Sequence, residues 1–192
     1  MTKLKRDFYS GDDVLSIAKA LLGKVLCSKV DDELTAGIIT ETEAYAAVND
    51  KANHAYAGRK TERNAKMYEE GGVAYIYLCY GIHHLFNVVT NSEGVPDAVL
   101  IRAIEPYKGI EKICYRRGLT KPLHGICKGP GKLSVALGIS VEDNGTDLCG
   151  DRIWIEDIGI EVSESSIITG PRVGIDYAGE DALLPYRFIF KR

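Results

Sequence analysis

The feature that most constrains the fold is a pair of strand candidates separated by a tight acidic turn. Residues 24–30 and 34–45 are rich in apolar and β-branched side chains, and Asp31-Asp32-Glu33 joins them. Two strands joined by so short a turn pair as a hairpin, so the sequence predicts antiparallel pairing here.

The rest of the chain alternates further strands with helices. The apolar spacing predicts a helix over residues 14–22, a helix beginning near Glu105 and a helix opened by Gly129-Pro130-Gly131. Strands are predicted at residues 73–80, 84–90, 98–104 and 186–190. Strands in hairpins with helices between them are typical of an α+β fold, and we expect one domain over residues 1–192 built on a mainly antiparallel sheet.

Composition excludes several classes of protein. The 24 Lys and Arg and 27 Asp and Glu give a net charge of −3, which argues against a broad basic surface for nucleic acid but not against a local basic patch. The five cysteines form no CxxC pair, so we expect no disulfide framework or zinc site and a reducing compartment. We also expect no signal peptide and no transmembrane segment, hence a soluble intracellular protein.

The second strand of the hairpin turns acidic at its end, in Glu41-Thr42-Glu43-Ala44-Tyr45. Alternate side chains of a strand share a face, so Glu41, Glu43 and Tyr45 lie together. Two carboxylates beside an aromatic ring suit acid–base chemistry on a flat ligand. The alternative is an edge strand with a solvated acidic face, which this segment alone favours because Asp and Glu are mostly exposed.

Two other strands carry a polar residue among apolar ones. Arg102 interrupts residues 98–104, and Asn87 stands within residues 85–89. A buried guanidinium or amide needs hydrogen-bonding partners, so each is a satisfied structural residue, a residue on a wet face, or part of a site. If the strands pair in sequence order, Asn87 and Arg102 converge with Glu43 on one pocket.

Tyrosine usage is the third unusual feature, because 11 Tyr stand against four Phe. Three of them fall in Tyr75-Ile76-Tyr77-Leu78-Cys79-Tyr80. Tyrosine suits a cleft in which the ring stacks and the hydroxyl reaches a partner. We assign Tyr75 to the core, whereas Tyr80 falls at the end of its strand.

Familiar catalytic and metal-binding motifs do not account for these residues. Gly129-Pro130-Gly131-Lys132 lacks the spacing of a P-loop. His83 and His84 are adjacent, so on a strand they point apart and cannot share a metal.

Several segments, taken in their order and spacing, resemble the alkyladenine (3-methyladenine) DNA glycosylase family. They extend over nearly the whole chain: Leu21-Leu22-Gly23-Lys24-Val25-Leu26, Glu41-Thr42-Glu43-Ala44-Tyr45, Arg63-Asn64-Ala65-Lys66-Met67-Tyr68, Tyr75-Ile76-Tyr77-Leu78-Cys79-Tyr80-Gly81, Asn87-Val88-Val89, Leu100-Ile101-Arg102-Ala103-Ile104-Glu105-Pro106, Gly129-Pro130-Gly131-Lys132-Leu133 and Arg172-Val173-Gly174-Ile175. The resemblance implies a curved sheet with peripheral helices and a protruding β-hairpin.

The activity that the resemblance implies is base-excision repair. The enzyme would hydrolyse the N-glycosidic bond of an alkylated or deaminated purine, such as 3-methyladenine, 7-methylguanine or hypoxanthine, flipped from double-stranded DNA, and would leave an abasic site. Such an enzyme is monofunctional and needs no metal or other cofactor. We expect a monomer without membrane contact, in the cytoplasm with the nucleoid if prokaryotic and in the nucleus if eukaryotic.

The resemblance also implies roles for the polar and aromatic residues of the strands. Glu43 would be the general base that orients the attacking water, and Arg102 would help to hold that water and keep Glu43 ionised. Tyr45, Tyr77 and His54 would stack the extruded base, with the His54 backbone also contacting the base edge.

Further residues would select the base and hold the duplex. Asn87 would abut the purine C2 position, where the guanine amino group would clash. Tyr80 would be the wedge that fills the gap in the duplex, with Ile82 beside it. A cluster of basic residues, which is otherwise a solvated loop, would contact phosphates and make binding salt-dependent: Arg59, Lys60, Arg63, Lys66, Lys128 and Lys132.

Two other functions remain open from the sequence. One is a catalytically inert module that binds damaged DNA or structured RNA, which would have no use for a water-orienting carboxylate at Glu43. The other is a hydrolase of free nucleosides, which would not need Tyr80 as a wedge.

Overall fold

The computed structural model describes residues 1–191, which contain four α-helices and nine β-strands. The helices are α1 (Arg6–Tyr9), α2 (Val14–Ala20), α3 (Ile110–Arg116) and α4 (Pro130–Leu137). The strands are β1 (Thr2–Lys3), β2 (Val25–Val30), β3 (Glu33–Tyr45), β4 (Ala74–Cys79), β5 (His83–Thr90), β6 (Asp97–Lys108), β7 (Ile153–Asp157), β8 (Ile167–Gly170) and β9 (Arg187–Phe190). Short 3₁₀ segments cover Ala47–Asn49, Tyr56–Gly58, Glu62–Tyr68, Val141–Asp143, Glu164–Ser166 and Asp176–Leu183.

The strands of residues 1–191 form one open, antiparallel sheet. Its main order is β1-β7-β2-β3-β6-β5-β4, and β9 joins β3 while pairing with β8. The predicted α+β fold on a mainly antiparallel sheet is therefore confirmed, as is the β2–β3 hairpin. No helix among residues 1–191 has the length and apolar character that a membrane crossing requires.

The acidic end of β3 lies inside the sheet. One edge of β3 pairs with β6 as far as Tyr45, and the other edge pairs first with β2 and then, at Glu41–Glu43, with β9. The alternative of a solvated edge strand is therefore wrong. The sequence could not reveal this, because the strand that covers the second edge comes from the end of the chain.

The strands do not pair in sequence order, since β6 lies between β3 and β5. The polar residues nevertheless come together, because Glu43 and Asn87 are both opposite Leu100, and Tyr75 is opposite Asn87. Residues directly opposite each other in antiparallel strands share a face. One row across four strands thus carries Glu43, Leu100, Asn87 and Tyr75.

The helix predicted to begin near Glu105 is present as α3, but its predicted start is wrong because β6 continues to Lys108. Its pairing with β3 extends to the partners Ala36 and Lys108, and this pairing outweighs the local helical spacing. Gly109 ends the strand with a φ of 67°, and α3 begins only at Ile110. A Cβ at position 109 would also collide with the Leu34 carbonyl, so glycine is needed there.

The two faces of the sheet have different surroundings. On β6, Val99 and Ile101 are buried in the main core, which also includes Ile17 from α2, Leu21 directly after it and Leu133 from α4. The alternate residues Ala98, Leu100 and Arg102 line a cleft on the other face. Strand alternation therefore assigns one face of the sheet to the core and the other to the candidate site.

Candidate active site

The candidate site is a cleft of about 750 Å³ over β3, β6, β5 and β4. Five tyrosines and two histidines are among its lining residues. The rings of His54 and Tyr77 lie 4.6 Å apart at 72°, and those of Tyr75 and Tyr77 lie 5.5 Å apart. The cleft brings together eight of the predicted side chains, namely Tyr45, His54, Arg63, Tyr77, Tyr80, Asn87, Arg102 and Lys132. Its volume is in the range of pockets that hold small organic molecules.

Glu43 lies directly beneath this cleft and is fully buried. Its Oε1 accepts the Val173 N–H at 2.8 Å, its Oε2 accepts the Tyr45 hydroxyl at 2.9 Å, and Arg102 Nε lies 3.4 Å from Oε1. All three groups are hydrogen donors, which suits an ionised carboxylate. Burial raises the pKa of Glu43 above its ordinary value, and the Arg102 charge opposes that rise. A buried carboxylate with a raised pKa is suited to act as a base.

A β-bulge aims Arg102 at Glu43. In the β3–β6 register Thr42 is opposite Ile101 and Glu41 is opposite Ala103, so Arg102 is the extra residue of β6. The Arg102 carbonyl accepts a hydrogen bond at 2.9 Å from the N–H of Gly129, the residue just before α4. Bulges re-aim side chains next to functional sites, and simple alternation of residues could not have predicted this one.

Two further residues hold Tyr45 and were missed by the sequence reasoning. Arg172 is buried and forms a bidentate ion pair with Asp50, with Nη2 at 2.8 Å from Oδ1. Its guanidinium lies 4.8 Å from the Tyr45 ring and 5.2 Å from the Tyr186 ring. The segment Arg172-Val173-Gly174-Ile175 is one of those that carry the family resemblance, but it had no predicted role. No sequence pattern pointed to Asp50.

The base-stacking candidate His54 is held by Tyr75. His54 Nδ1 lies 2.8 Å from the Tyr75 hydroxyl. Tyr75 is buried, as predicted, but this contact shows that it also supports the site. Burial lowers the pKa of His54 to about 4, with the charges of Arg63 and Arg59 contributing. The His54 ring is therefore neutral near pH 7, and its carbonyl accepts a hydrogen bond from Asn64.

Acid should destabilise the protein partly through His54. Between pH 6.5 and about 4 the unfolded chain protonates this ring and the folded protein does not, so stability is lost as the pH falls through that window. The free energy of unfolding, measured by urea denaturation, should fall between pH 7 and pH 4.5 in both wild type and His54→Gln. We expect the fall to be larger in wild type by on the order of 2 kcal/mol. His83→Gln, at an exposed histidine, should behave like wild type; equal losses in wild type and His54→Gln would contradict the assignment.

Asn87 is buried in the cleft floor with its amide fixed. Its Nδ2 donates to the Tyr75 carbonyl at 3.0 Å and to the Leu85 carbonyl at 3.3 Å. Both neighbours are acceptors, so the NH₂ group must point toward them. The side chain is thereby held against β4 and cannot swing out of the cleft without losing both bonds.

The turn between β4 and β5 presents an exposed aromatic side chain. Tyr80 is 87% exposed and Ile82 is 70% exposed. Tyr80 has a φ of 51° and Gly81 a φ of 73°, and the Ile82 N–H bonds to the Cys79 carbonyl at 3.2 Å. A left-handed conformation is unfavourable for a bulky residue. The turn therefore displays Tyr80 at a conformational cost.

The predicted phosphate contacts are only partly brought together. Arg63 and Lys132 line the cleft, and the Arg63 guanidinium lies 5.1 Å from the Tyr77 ring. Arg59 and Lys60 are exposed on the preceding loop. The other two are placed differently: Lys66 pairs with Glu69 at 2.6 Å, and Lys128 lies 3.1 Å from His124 beside a separate cleft.

No cluster of three or more His, Cys, Asp or Glu side chains that could hold a metal occurs among residues 1–191.

The open antiparallel α+β fold carries a buried carboxylate beneath a cleft with aromatic walls, which is the arrangement of an enzyme active site. Comparison with known proteins identifies the family. The family model of methylpurine-DNA glycosylase (MPG) matches residues 7–192. A relative from Chlamydia felis is 49% identical over 97% of this chain and 95% of its own length, and one from Desulfitobacterium hafniense is 44% identical over 98% and 95%. A third, from Bacillus thuringiensis, is 46% identical over 96% and 93%. All three carry the name "Putative 3-methyladenine DNA glycosylase".

The chain therefore belongs to the methylpurine-DNA glycosylase family. The prediction that it is a DNA glycosylase enzyme is confirmed at the level of this family.

Proposed function

We propose that this protein hydrolyses the N-glycosidic bond of an alkylated or deaminated purine that has been flipped out of double-stranded DNA. The observation that carries the proposal is Glu43, a buried carboxylate that accepts two hydrogen bonds and pairs with Arg102 beneath an aromatic cleft. Candidate substrates are 3-methyladenine, 7-methylguanine and hypoxanthine. The product would be an abasic site in the duplex.

The chemistry follows from the position of Glu43. Glycosidic cleavage develops positive charge on the sugar, and a nearby carboxylate both stabilises that charge and accepts a proton from the attacking water. Glu43 is separated from the cleft by the Tyr45 hydroxyl, Arg102 and the Val173 backbone. We infer that a water reaches Glu43 by replacing one of these donors, and that Arg102 then holds the water from the side.

The aromatic walls suit a flat purine. Tyr45, Tyr77 and His54 would stack the extruded base, and the neutral ring of His54 would avoid repelling a cationic alkylated purine. Arg172 supports this arrangement by holding the Tyr45 ring from behind.

The surface around the cleft suits a duplex. Tyr80 would fill the gap left by the flipped nucleotide, with Ile82 beside it, and this is consistent with their exposure on the turn. Arg63 and Lys132 at the cleft are the best placed of the predicted phosphate contacts. We further propose that residues 1–192 act as one glycosylase domain and as a monomer. Since the relatives are bacterial, we expect it with the nucleoid in the cytoplasm.

The two alternatives fit the cleft less well. An inert binding module would gain nothing from burying an ionised carboxylate, because burial of a charge costs free energy that a functional site has reason to bear. A free-nucleoside hydrolase would gain nothing from the exposed Tyr80 in its unfavourable backbone conformation.

Single-turnover base release tests the proposal directly. Duplexes with one hypoxanthine, 7-methylguanine or 3-methyladenine would be compared with an undamaged duplex and with free inosine. We expect release from at least one damaged duplex and little from inosine. Equal rates on inosine would favour the nucleoside hydrolase, and tight lesion binding without release would favour the inert module.

Asn87→Ser should weaken discrimination against guanine. The shorter side chain removes the amide that would clash with the guanine amino group, so guanine release relative to hypoxanthine release should rise by about tenfold or more. The measurement is single-turnover release from matched duplexes that contain either base. Thr90→Ser, at a buried residue of the same strand, serves as the control; unchanged discrimination in Asn87→Ser would remove the exclusion role.

A further inference from the structure

Two arginines and two glutamates form a row of alternating charges behind the cleft. Glu41 Oε1 lies 3.2 Å from Arg102 Nε and 3.3 Å from Arg187 Nη1. The same Arg102 Nε lies 3.4 Å from Glu43 Oε1. The order along the row is therefore Arg187, Glu41, Arg102 and Glu43, and the charges cancel when both carboxyls are ionised.

Arg102 is shared between the two carboxylates. Its Nε carries a single hydrogen, which cannot bond both Glu41 and Glu43 at full strength. A stronger hold of Glu41 on Arg102 therefore weakens the hold of Arg102 on Glu43. Glu41 thus competes with the candidate base for the cation that the base needs.

Arg187 affects this competition because it pairs with Glu41. Strand β9 places Arg187 directly opposite Glu43, yet its guanidinium reaches Glu41. Its Nε is buried and has no hydrogen-bond partner within residues 1–191. Arg187 therefore gives Glu41 a second cation, which reduces the pull of Glu41 on Arg102.

We propose that Glu41 and Arg187 are positioning residues that divide Arg102 between the two carboxylates and thereby set the protonation of Glu43. The inference rests on the proposed function only in giving Glu43 the role of base. Its physical content is a coupling of charges that can be measured without catalysis.

The sign of the coupling follows from the groups that face Glu43. These are Arg102 from β6, Arg187 from β9, Glu41 and Tyr45 from its own strand, and Arg172 from the segment before Val173. Removing the Glu41 charge favours the ionised form of Glu43 and also frees Arg102 to pair with it. Removing the Arg187 charge does the opposite, because it takes away a cation and leaves Glu41 to draw Arg102 aside.

The test is a titration of the Glu43 carboxyl by ¹³C NMR, with ¹³Cδ-labelled glutamate and the resonance assigned by its loss in Glu43→Gln. Relative to wild type, Glu41→Gln should lower the midpoint by about one pH unit, and Arg187→Gln should raise it by about half a unit or more. Arg187→Lys keeps the charge and should restore most of the wild-type value. Arg152→Gln, at an arginine paired with Asp143 outside the cleft, should leave the midpoint unchanged.

Opposite shifts in the two glutamine variants would support the proposal, because loss of packing alone has no reason to give opposite signs. Unmoved midpoints, or shifts in the same direction, would overturn it. If Arg187→Gln does not fold, the direction in Glu41→Gln decides. The acid limb of single-turnover excision should move with the midpoint. Shifted midpoints in the variants, together with a wild type that excises nothing, would uphold the coupling and overturn the proposed function. Excision by wild type together with unmoved midpoints in the variants would overturn the coupling alone.

Discussion

Replacement of Glu43 by glutamine should abolish excision while leaving lesion binding nearly intact. Glutamine keeps the shape of the side chain and one oxygen for the Val173 N–H, and Arg102 keeps its contact with Glu41. The variant should therefore fold and bind. Without a base, single-turnover release from a hypoxanthine duplex should fall by about 10²- to 10⁴-fold, with affinity for the same duplex within a few-fold of wild type.

A matched control lies on the same strand. Glu33→Gln removes a carboxylate at the far end of β3, where it pairs with Lys112 on α3. We expect this variant to excise at the wild-type rate. Undiminished release by Glu43→Gln would rule out the proposed role of Glu43, and loss of binding together with release would assign Glu43 to the architecture of the pocket.

Replacement of Tyr80 by glycine should impair excision from duplex DNA without destabilising the protein. The Tyr80 ring is almost fully exposed and contributes little packing, and glycine relieves the unfavourable positive φ. A flipped nucleotide leaves a gap whose filling by an aromatic ring is worth roughly 1–3 kcal/mol. Single-turnover release from a hypoxanthine duplex should therefore fall about 10- to 100-fold, while the thermal midpoint should stay within a few degrees of wild type.

The matched variant is Tyr80→Phe, which keeps the ring and the same backbone constraint and should remain within about threefold of wild type. The same lesion in single-stranded DNA should show a smaller effect of Tyr80→Gly, because the gap in the stack does not arise there. A wild-type rate of Tyr80→Gly on duplex DNA would remove the wedge role and would weaken the case against the nucleoside hydrolase.

Much of the local structure followed from side-chain patterns. The β2–β3 hairpin and the helix at Pro130 were predicted because turn residues and apolar periodicity are local properties. The start expected near Glu105 for helix α3 was wrong for the complementary reason. Residues 105–108 belong to β6, which pairs with a part of β3 that is distant in sequence, and local spacing does not report such pairing.

The candidate site shows the same division. Asn87 and Arg102, singled out as polar residues within apolar strands, both line the cleft, whereas Val99 and Ile101 are buried in the core. The bulge at Arg102, the Asp50–Arg172 ion pair and the Val173 backbone contact to Glu43 join residues that are far apart in the chain. Periodicity carries no information about such contacts, and for Arg172 only the resemblance to a family drew attention to the segment.

By itself the sequence determined most of the strands, the antiparallel hairpin and the family, because these depend on the order and type of residues along the chain. Only the tertiary structure decided that the acidic end of β3 is buried. The covering strand β9 arrives from the last residues of the chain, and β6 arrives with its bulged Arg102. Burial removed water from Glu43, and the donors around it stabilise its charge. The chemical character of this carboxylate is therefore a property of its surroundings and not of the strand that carries it.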